Sequence, residues 1–257
     1  MKKKDPDNRP VRLDKYLADA GEGSRSRCGA LIRSGAARVG GMAVTDEGFK
    51  LSPGQEVTLS GRRVEYRKRI YLMLNKPPGV ISASEGEKCA TVIDLLDDKY
   101  RRRGLFPVGR LDRDTSGLLL ITNDGVFAHN TLSPRRHVEK VYEAEVDGLL
   151  GEADIAAFRE GITLENGERC LPAGLEIMSV APVSGPRGAC VSTARIAICE
   201  GKYHQVKRMF EALGKRVTAL KRISFGAIAL DGALAEGEAR ELNDKEMEWV
   251  RGYAEQK

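Results

Sequence analysis

Residues 109–125, Gly109-Arg-Leu-Asp112-Arg-Asp114-Thr-Ser-Gly-Leu-Leu-Leu-Ile-Thr-Asn-Asp-Gly125, constrain this chain more than any other stretch. Their second half, 118–122, is a continuous apolar run bounded by turn residues and predicts a buried strand. Immediately before it come Arg110, Asp112, Arg113 and Asp114, bracketed by Gly109 and Gly117. A charged loop set against a buried strand is a common active-site layout, because a rigid scaffold fixes what the loop presents. The same residues also suit an ordinary Asp/Arg turn tied by local hydrogen bonds. Taken alone, the stretch leaves both readings open.

The rest of the chain narrows them. At 257 residues there is room for a small domain and a larger one. No apolar run is long enough to span a bilayer, and the N-terminus lacks the apolar core of a secretory signal, so a cytoplasmic protein is expected. The net charge of +5 suits a polyanionic partner, although scattered lysines give the same total. Cys28, Cys89, Cys170, Cys190 and Cys199 are widely spread and form no CxxC pair. His129, His137 and His204 show no metal-ligand spacing with them. Neither a dinucleotide fingerprint nor a P-loop is present. No metal and no cofactor are expected.

Residues 1–10 are charged, carry two prolines and read as a disordered basic lead-in. Residues 11–60 have a different character. Leu13, Leu17 and Ala20 recur at helical spacing up to Gly21. Ser24 or Ser26 can cap a second helix that Gly35 ends. Strands are expected at 37–39 and 57–59. Arg12, Arg25, Arg27, Arg33 and Arg38 give this part a cationic face that can contact phosphate or simply be solvated. The arginine-rich segment 61–69 reads as a basic linker, and residues 70–257 as the larger domain.

Within the larger domain, 70–74 predicts a buried strand running into Asn75-Lys76-Pro-Pro-Gly79, a rigid turn whose Lys76 touches RNA or faces solvent. Residues 91–96 suggest a short helix and 99–103 a basic loop. Tyr142, Ala144 and Val146 fall on one face of a strand, where a tyrosine serves the core as readily as a site. A helix is expected at 152–161 with Ile155 and Phe158 buried, a surface loop at 181–188, and a strand through Ala194, Ile196 and Ile198. Tyr203, Val206, Met209, Phe210 and Leu213 form an apolar helical stripe ending at Gly214, opposite His204, Lys207, Arg208 and Glu211. A cation near a helix N-terminus opposes the macrodipole, so Lys207 points to an anion nearby, a carboxylate or a phosphate. Strands are further expected at 217–224 and 227–231, and a helix at 243–252. Helices and strands mix without strict alternation, which predicts an α+β fold with a mixed, largely antiparallel sheet.

Two sets of motifs make a resemblance specific. Arg12-Leu-Asp-Lys-Tyr-Leu17, Ser24-Arg-Ser-Arg27, Leu31-Ile-Arg-Ser-Gly35 and Leu51-Ser-Pro-Gly-Gln-Glu-Val57 resemble the small RNA-binding module shared with a small-subunit ribosomal protein, with Gly40-Gly41 replacing its usual Asn-Gly. Leu74-Asn-Lys-Pro-Pro-Gly79, Gly109-Arg-Leu-Asp-Arg-Asp-Thr-Ser-Gly-Leu118, His137-Val-Glu-Lys-Val-Tyr142 and Glu200-Gly-Lys-Tyr-His-Gln-Val-Lys-Arg-Met-Phe210 resemble the pseudouridine synthases of the bacterial small-subunit (RsuA) type.

The resemblance implies isomerisation of a uridine to pseudouridine, with no redox step and no net hydrolysis. It implies Asp112 as the essential carboxylate, nucleophile or base, and Lys207 as its cationic partner where related enzymes often have arginine. A cation there stabilises a carboxylate, though lysine lacks the bidentate fork of arginine. It implies Tyr142 as the ring on which the flipped base stacks, Arg110 as support beside it, and Asp114 as a loop-structure position. His204 and Arg208 join the arginines above and Lys76 as expected RNA contacts. The implied partner is ribosomal RNA or a ribosomal assembly intermediate, met by a monomer; small-subunit RNA is the first expectation. Large-subunit RNA, or a non-catalytic RNA-binding protein, are the rivals.

Overall fold

The computed structural model describes residues 10–52, 54–64, 69–101, 103–182 and 190–254. The expected lead-in, apart from Pro10, lies outside these residues, as do 65–68 of the expected linker and 183–188 of the expected loop. By contacts the chain divides into two compact units, residues 1–69 with 97–105, and residues 70–96 with 106–257. Residues 97–105 therefore leave the larger unit to which sequence order assigned them. Gly21 shows how close they come to the first unit: a Cβ there would stand 3.6 Å from the Lys99 carbonyl oxygen.

In the first unit, β1 (Val11–Arg12) leads directly into α1 (Leu13–Asp19), and α2 is Arg25–Arg33. Ser24 caps α2 as expected, its hydroxyl accepting from the Arg27 amide. The remaining strands are β2 (Ala37–Val39), β3 (Met42–Ala43), β4 (Lys50–Leu51), β5 (Val57–Leu59) and β6 (Arg62–Arg63), and α3 (Asp98–Arg101) is a single turn where a basic loop was expected. Strands β3, β2, β5 and β6 form one sheet, and β1 pairs with β4. Gly40 and Gly41 both have positive φ, as the tight β2–β3 turn demands. Leu13, Leu17, Cys28, Ile32, Val39, Val57, Leu59 and Val64 make one core. The linker expected from Gly61 is thus structured at its start, because Arg62 and Arg63 pair with β5 and Val64 plugs the core.

Asp14 organises the cationic surface of this unit. Its carboxylate, 5% exposed, accepts from Arg12 at 2.9 and 3.1 Å, from Arg25 at 3.1 Å and from the Lys15 amide at 2.6 Å. The Arg12 hydrogen bond, against the cost of burial, holds its pKa down to about 2. A carboxyl that titrates lower in the folded than in the unfolded chain stabilises fully above its ordinary 3.8, and that contribution drains away as pH falls toward about 2. Asp14→Asn should remove this acid-sensitive step from a thermal-melting series between about pH 4 and 2. An unchanged series would show that the pairing contributes no stability.

The second unit is built on a sheet of nine described strands. Its elements are β7 (Tyr71–Lys76), β8 (Phe106–Pro107), β9 (Ser116–Thr122), α4 (Gly125–Leu132), β10 (Lys140–Asp147), α5 (Glu152–Glu160), β11 (Gly174–Pro182), β12 (Cys190–Ile198), α6 (Gln205–Ala212), β13 (Arg216–Phe225), β14 (Ile228–Ala229), β15 (Ala239–Glu241) and α7 (Asp244–Ala254). The strand order is β11-β12-β10-β13-β9-β7-β15, with β14 on β13 and β8 on β9. Among the described strands only β9 and β13 run parallel, which makes the sheet mixed and largely antiparallel as expected. Gly117 allows this pairing, since a Cβ there would lie 2.2 Å from the Arg222 carbonyl oxygen.

On β10, Lys140, Tyr142, Ala144 and Val146 point inward in strict alternation. Phe127 of α4 and Trp249 of α7 pack with Met73, Leu118 and Leu120 of the central strands. Phe158 of α5 meets Phe210 of α6 with ring centroids 5.0 Å apart. Ile155 is only half-buried, and Asp154 takes the inward position instead, bound to Lys215 at 2.6 Å. Residues 91–96 form consecutive turns rather than a helix, with the Asp94 carboxylate accepting from the amide and hydroxyl of Thr91. Ala181 and Pro182, expected in a loop, end β11.

Candidate active site

Asp112 sits where β9 begins, on a loop fixed from both sides. The Thr115 amide donates to the Asp112 carbonyl at 3.1 Å, closing a tight turn around Asp112-Arg-Asp114. The Ser82 hydroxyl both donates to the Leu111 carbonyl (2.8 Å) and accepts from the Leu111 amide (3.0 Å). On the far side, the Gly79 amide donates to the Arg113 carbonyl at 2.7 Å and Arg113 Nε returns a bond to the Gly79 carbonyl at 3.1 Å. The turn 75–79 is therefore the cradle of the loop.

Lys76 completes that cradle and corrects its expected role. It is fully buried, and its ammonium donates to the carbonyls of Thr115 (2.8 Å), Pro77 (3.0 Å) and Arg113 (3.3 Å). A lysine so enclosed presents nothing to RNA. Burial pushes its pKa down to about 8, while Asp114 and Asp112 oppose the shift. Its cost as a buried cation is tolerated because three carbonyl dipoles solvate it.

Beside Asp112 lies a cavity of about 70 Å³ lined by Arg110, Thr115, Tyr142, Ile198, Lys202, His204, Gln205 and Leu220, among others. Tyr142, 8% exposed, supplies an aromatic wall, with Ile198 and Leu220 as its aliphatic neighbours. Arg110 is exposed and contributes to the lining. Gln205 is locked at the start of α6, accepting from the Lys202 amide at 3.0 Å and donating to Glu200 at 2.6 Å. The Thr115 hydroxyl is buried without a hydrogen-bond partner among the described residues.

The charge balance is as specific as the shape. Lys207 Nζ stands 3.6 Å from Asp112 Oδ2 and 2.5 Å from Asp114 Oδ1, so the anion that its position on α6 called for is a pair of carboxylates. Its tighter partner is Asp114, whose pKa the Lys207 hydrogen bond lowers. His204 Nε2 approaches Asp112 Oδ1 at 3.6 Å. His204 adopts a left-handed conformation (φ 49°) as the N-cap of α6, and this turn takes Tyr203 out of the expected helical stripe. Tyr203 is 75% exposed and stacks on the His204 ring at 3.9 Å. Arg208 points its guanidinium to the Tyr203 carbonyl (3.3 Å) and toward Glu168 (3.8 Å).

The remaining expected contacts lie in the first unit. Arg12 and Arg25 are half-exposed on Asp14, Arg33 pairs with Glu47 at 2.7 Å, and Arg27 and Arg38 are exposed. Among the described residues no cluster of His, Cys, Asp or Glu has the geometry of a metal site, and no helix is long and apolar enough to cross a membrane. Tyr203, Thr115 and Gln205 were not singled out as site residues by the sequence. Thr115 and Gln205 line the cavity and Tyr203 stacks beside it on His204, an arrangement that depends on a left-handed turn and a strand start that no local pattern announces.

The carboxylate of a loop leading into a buried strand thus meets a lysine beside an aromatic wall, and one family matches the sequence over most of this unit. Residues 70–212 match the RNA pseudouridylate synthase family, and residues 11–57 match the S4 domain. The chain belongs to the RNA pseudouridylate synthases, isomerases of RNA, and carries an RNA-binding S4 domain ahead of the synthase domain.

Among its relatives, an uncharacterized RNA pseudouridine synthase of Bacillus subtilis, YtzG, is 44% identical over 92% of this chain and 97% of its own. The ribosomal large subunit pseudouridine synthase B of the same organism is 37% identical over 95% and 97%. The ribosomal small subunit pseudouridine synthase A of Salmonella typhimurium is 38% identical over 92% and 98%. A crystal structure of a pseudouridylate synthase superposes with a TM-score of 0.63 at 35% identity, covering 93% of this chain and 99% of that one.

Proposed function

We propose that this protein converts a specific uridine of small-subunit ribosomal RNA to pseudouridine in the cytoplasm, with Asp112 as its essential carboxylate. The observation that carries the reading is the convergence of Asp112 and Tyr142 on one cavity, with Lys207 standing 3.6 Å from the Asp112 carboxylate, from three distant stretches of chain. The target nucleotide leaves its stack, at a cost of a few kcal/mol that aromatic stacking and backbone contacts offset. Tyr142 provides that ring, and stacking of this kind is worth on the order of 1–3 kcal/mol. Asp112 then acts at the ribose as nucleophile or base, the N-glycosidic bond breaks, the uracil turns in place, and the new C1′–C5 bond forms while C5 gives up its proton to solvent and N1 takes one up. Lys207 sets a positive charge beside the reacting carboxylate and ties it to Asp114. Arg110, exposed beside the cavity, steadies the nucleotide backbone.

Small-subunit RNA is preferred because the stretches 137–142 and 203–208 resemble that type. The relatives named for the two subunits are nearly equally similar, so large-subunit RNA is the second reading. Tritium release from C5-labelled transcripts of each ribosomal RNA separates them; turnover confined to the large-subunit transcript would overturn the preference.

The S4 unit is assigned the grip on phosphate and RNA shape. Arg27 and Arg38, exposed on this unit, are its cleanest probes. Replacing both by glutamine should weaken binding, and each lost phosphate contact should lower the log–log salt slope by about 0.9 on duplex or 0.7 on single strands. An unchanged slope would assign charge-driven binding elsewhere.

A further inference from the structure

We propose that Tyr203, stacked on His204, is a platform for the nucleobase that flanks the target uridine, a subsite next to the catalytic pocket. The inference rests on the proposed function. A single exposed apolar residue means little by itself. Tyr203 differs in three ways. One ring face lies on His204, 3.9 Å away and within 16° of parallel, and the residue is 75% exposed, so the opposite face is open. His204 lines the pocket and stands 3.6 Å from Asp112, so the stacked pair begins at the reacting carboxylate and leads outward from it.

The pair is also held in place rather than free. His204 occupies the left-handed region at φ 49° and ψ 34°, unusual for a residue other than glycine and concentrated at functional sites. Arg208 holds the turn, its guanidinium on the Tyr203 carbonyl and its amide on the His204 carbonyl at 3.0 Å. A ring fixed in advance loses little freedom when a base lands on it.

The chemistry asks for such a surface. When a uridine flips out, its neighbour loses a stacking partner, and that loss is part of the flipping cost. An aromatic face one residue from the pocket replaces the partner whatever the neighbouring base, because every base has a π-face. Arg110, exposed where it lines the pocket, suits a phosphate beside the target nucleotide.

The test uses full-length protein with C5-tritiated small- and large-subunit ribosomal RNA transcripts, under single-turnover conditions, beside filter binding of the same transcripts. Tyr203→Ala should raise the enzyme concentration for half-maximal rate about tenfold, a typical loss for one base stack, while changing the saturated rate far less. Tyr203→Phe and Tyr203→Trp should restore half-saturation to within about twofold, and the salt slope should not move, since no phosphate contact is lost. An alanine variant that binds like the wild type would overturn the platform. So would a phenylalanine variant as weak as alanine, which would assign the effect to the hydroxyl, or a loss confined to the saturated rate, which would make Tyr203 a mere support for His204. If the wild type turns over neither transcript, the proposed target fails, and the ratio of filter-binding affinities still decides the platform.

Discussion

Asp112→Asn should abolish tritium release from C5-labelled uridine RNA while leaving RNA affinity within about twofold of the wild type. The substitution keeps the size of the side chain and removes the charge and the basic or nucleophilic oxygen. Positioned acid–base groups commonly contribute 10²–10⁴-fold, and a nucleophile that starts the reaction contributes at least as much, so turnover should fall to background. Affinity should survive because the S4 unit and the rim cations are untouched. The neutral amide also frees Lys207 to pair wholly with Asp114, already its closer partner at 2.5 Å. Equal turnover by the variant would sink the catalytic assignment.

Lys76→Met is the second large effect, and it acts without touching the substrate. The variant strips the donor from the carbonyls of Pro77 and Thr115, whereas Arg113 keeps the Gly79 amide. A buried carbonyl (Thr115) and a half-buried one (Pro77) losing their partner cost about 1–3 kcal/mol each, partly offset by the removal of a buried cation. A net loss of about 2–4 kcal/mol is expected, which in a protein of this size lowers Tm by roughly 5–15 °C. Turnover should fall even well below that Tm, because the turn carrying Asp112 loses a tether at Thr115. The pH dependence has a definite sign. With a folded pKa of about 8 against 10.5 in the unfolded chain, the unfolded state holds the extra proton between these values, so this lysine makes the wild type gain stability as pH rises through that window. Melting curves from pH 7 to 11 should show that gain in the wild type and its absence in Lys76→Met. A variant with wild-type Tm and pH profile would show that the cradle is not held by this ammonium.

Patterns of local period were legible. The strands Ala37–Val39 and Val57–Leu59, the Ser24 cap, and the inward faces of Tyr142, Ala144 and Val146 follow directly from spacing and side-chain type. Parts that depend on distant partners were not. Lys76 looks like a turn lysine until carbonyls from residues 77, 113 and 115 converge on it. Residues 91–96 have the composition of a helix, but the chain there runs in consecutive turns. Strand β11 hides its alternation behind a bulge between Ile177 and Ser179. Tyr203 fits a helical stripe until the left-handed His204 starts the helix two residues late. The same holds at the site. Asp112, Lys207 and Tyr142 were named by motif, yet that Lys207 serves two carboxylates and that Arg208 is turned toward Glu168 became visible only with the fold.

We propose that this chain places one pseudouridine in ribosomal RNA through Asp112. Carbodiimide primer extension across both ribosomal RNAs, in a strain lacking the gene and complemented with wild type or Asp112→Asn, tests it most directly. The account predicts one modified uridine missing from small-subunit RNA in the deletion strain, restored by the wild type and not by the variant. Retention of every site in the deletion strain, or restoration by Asp112→Asn, would contradict it.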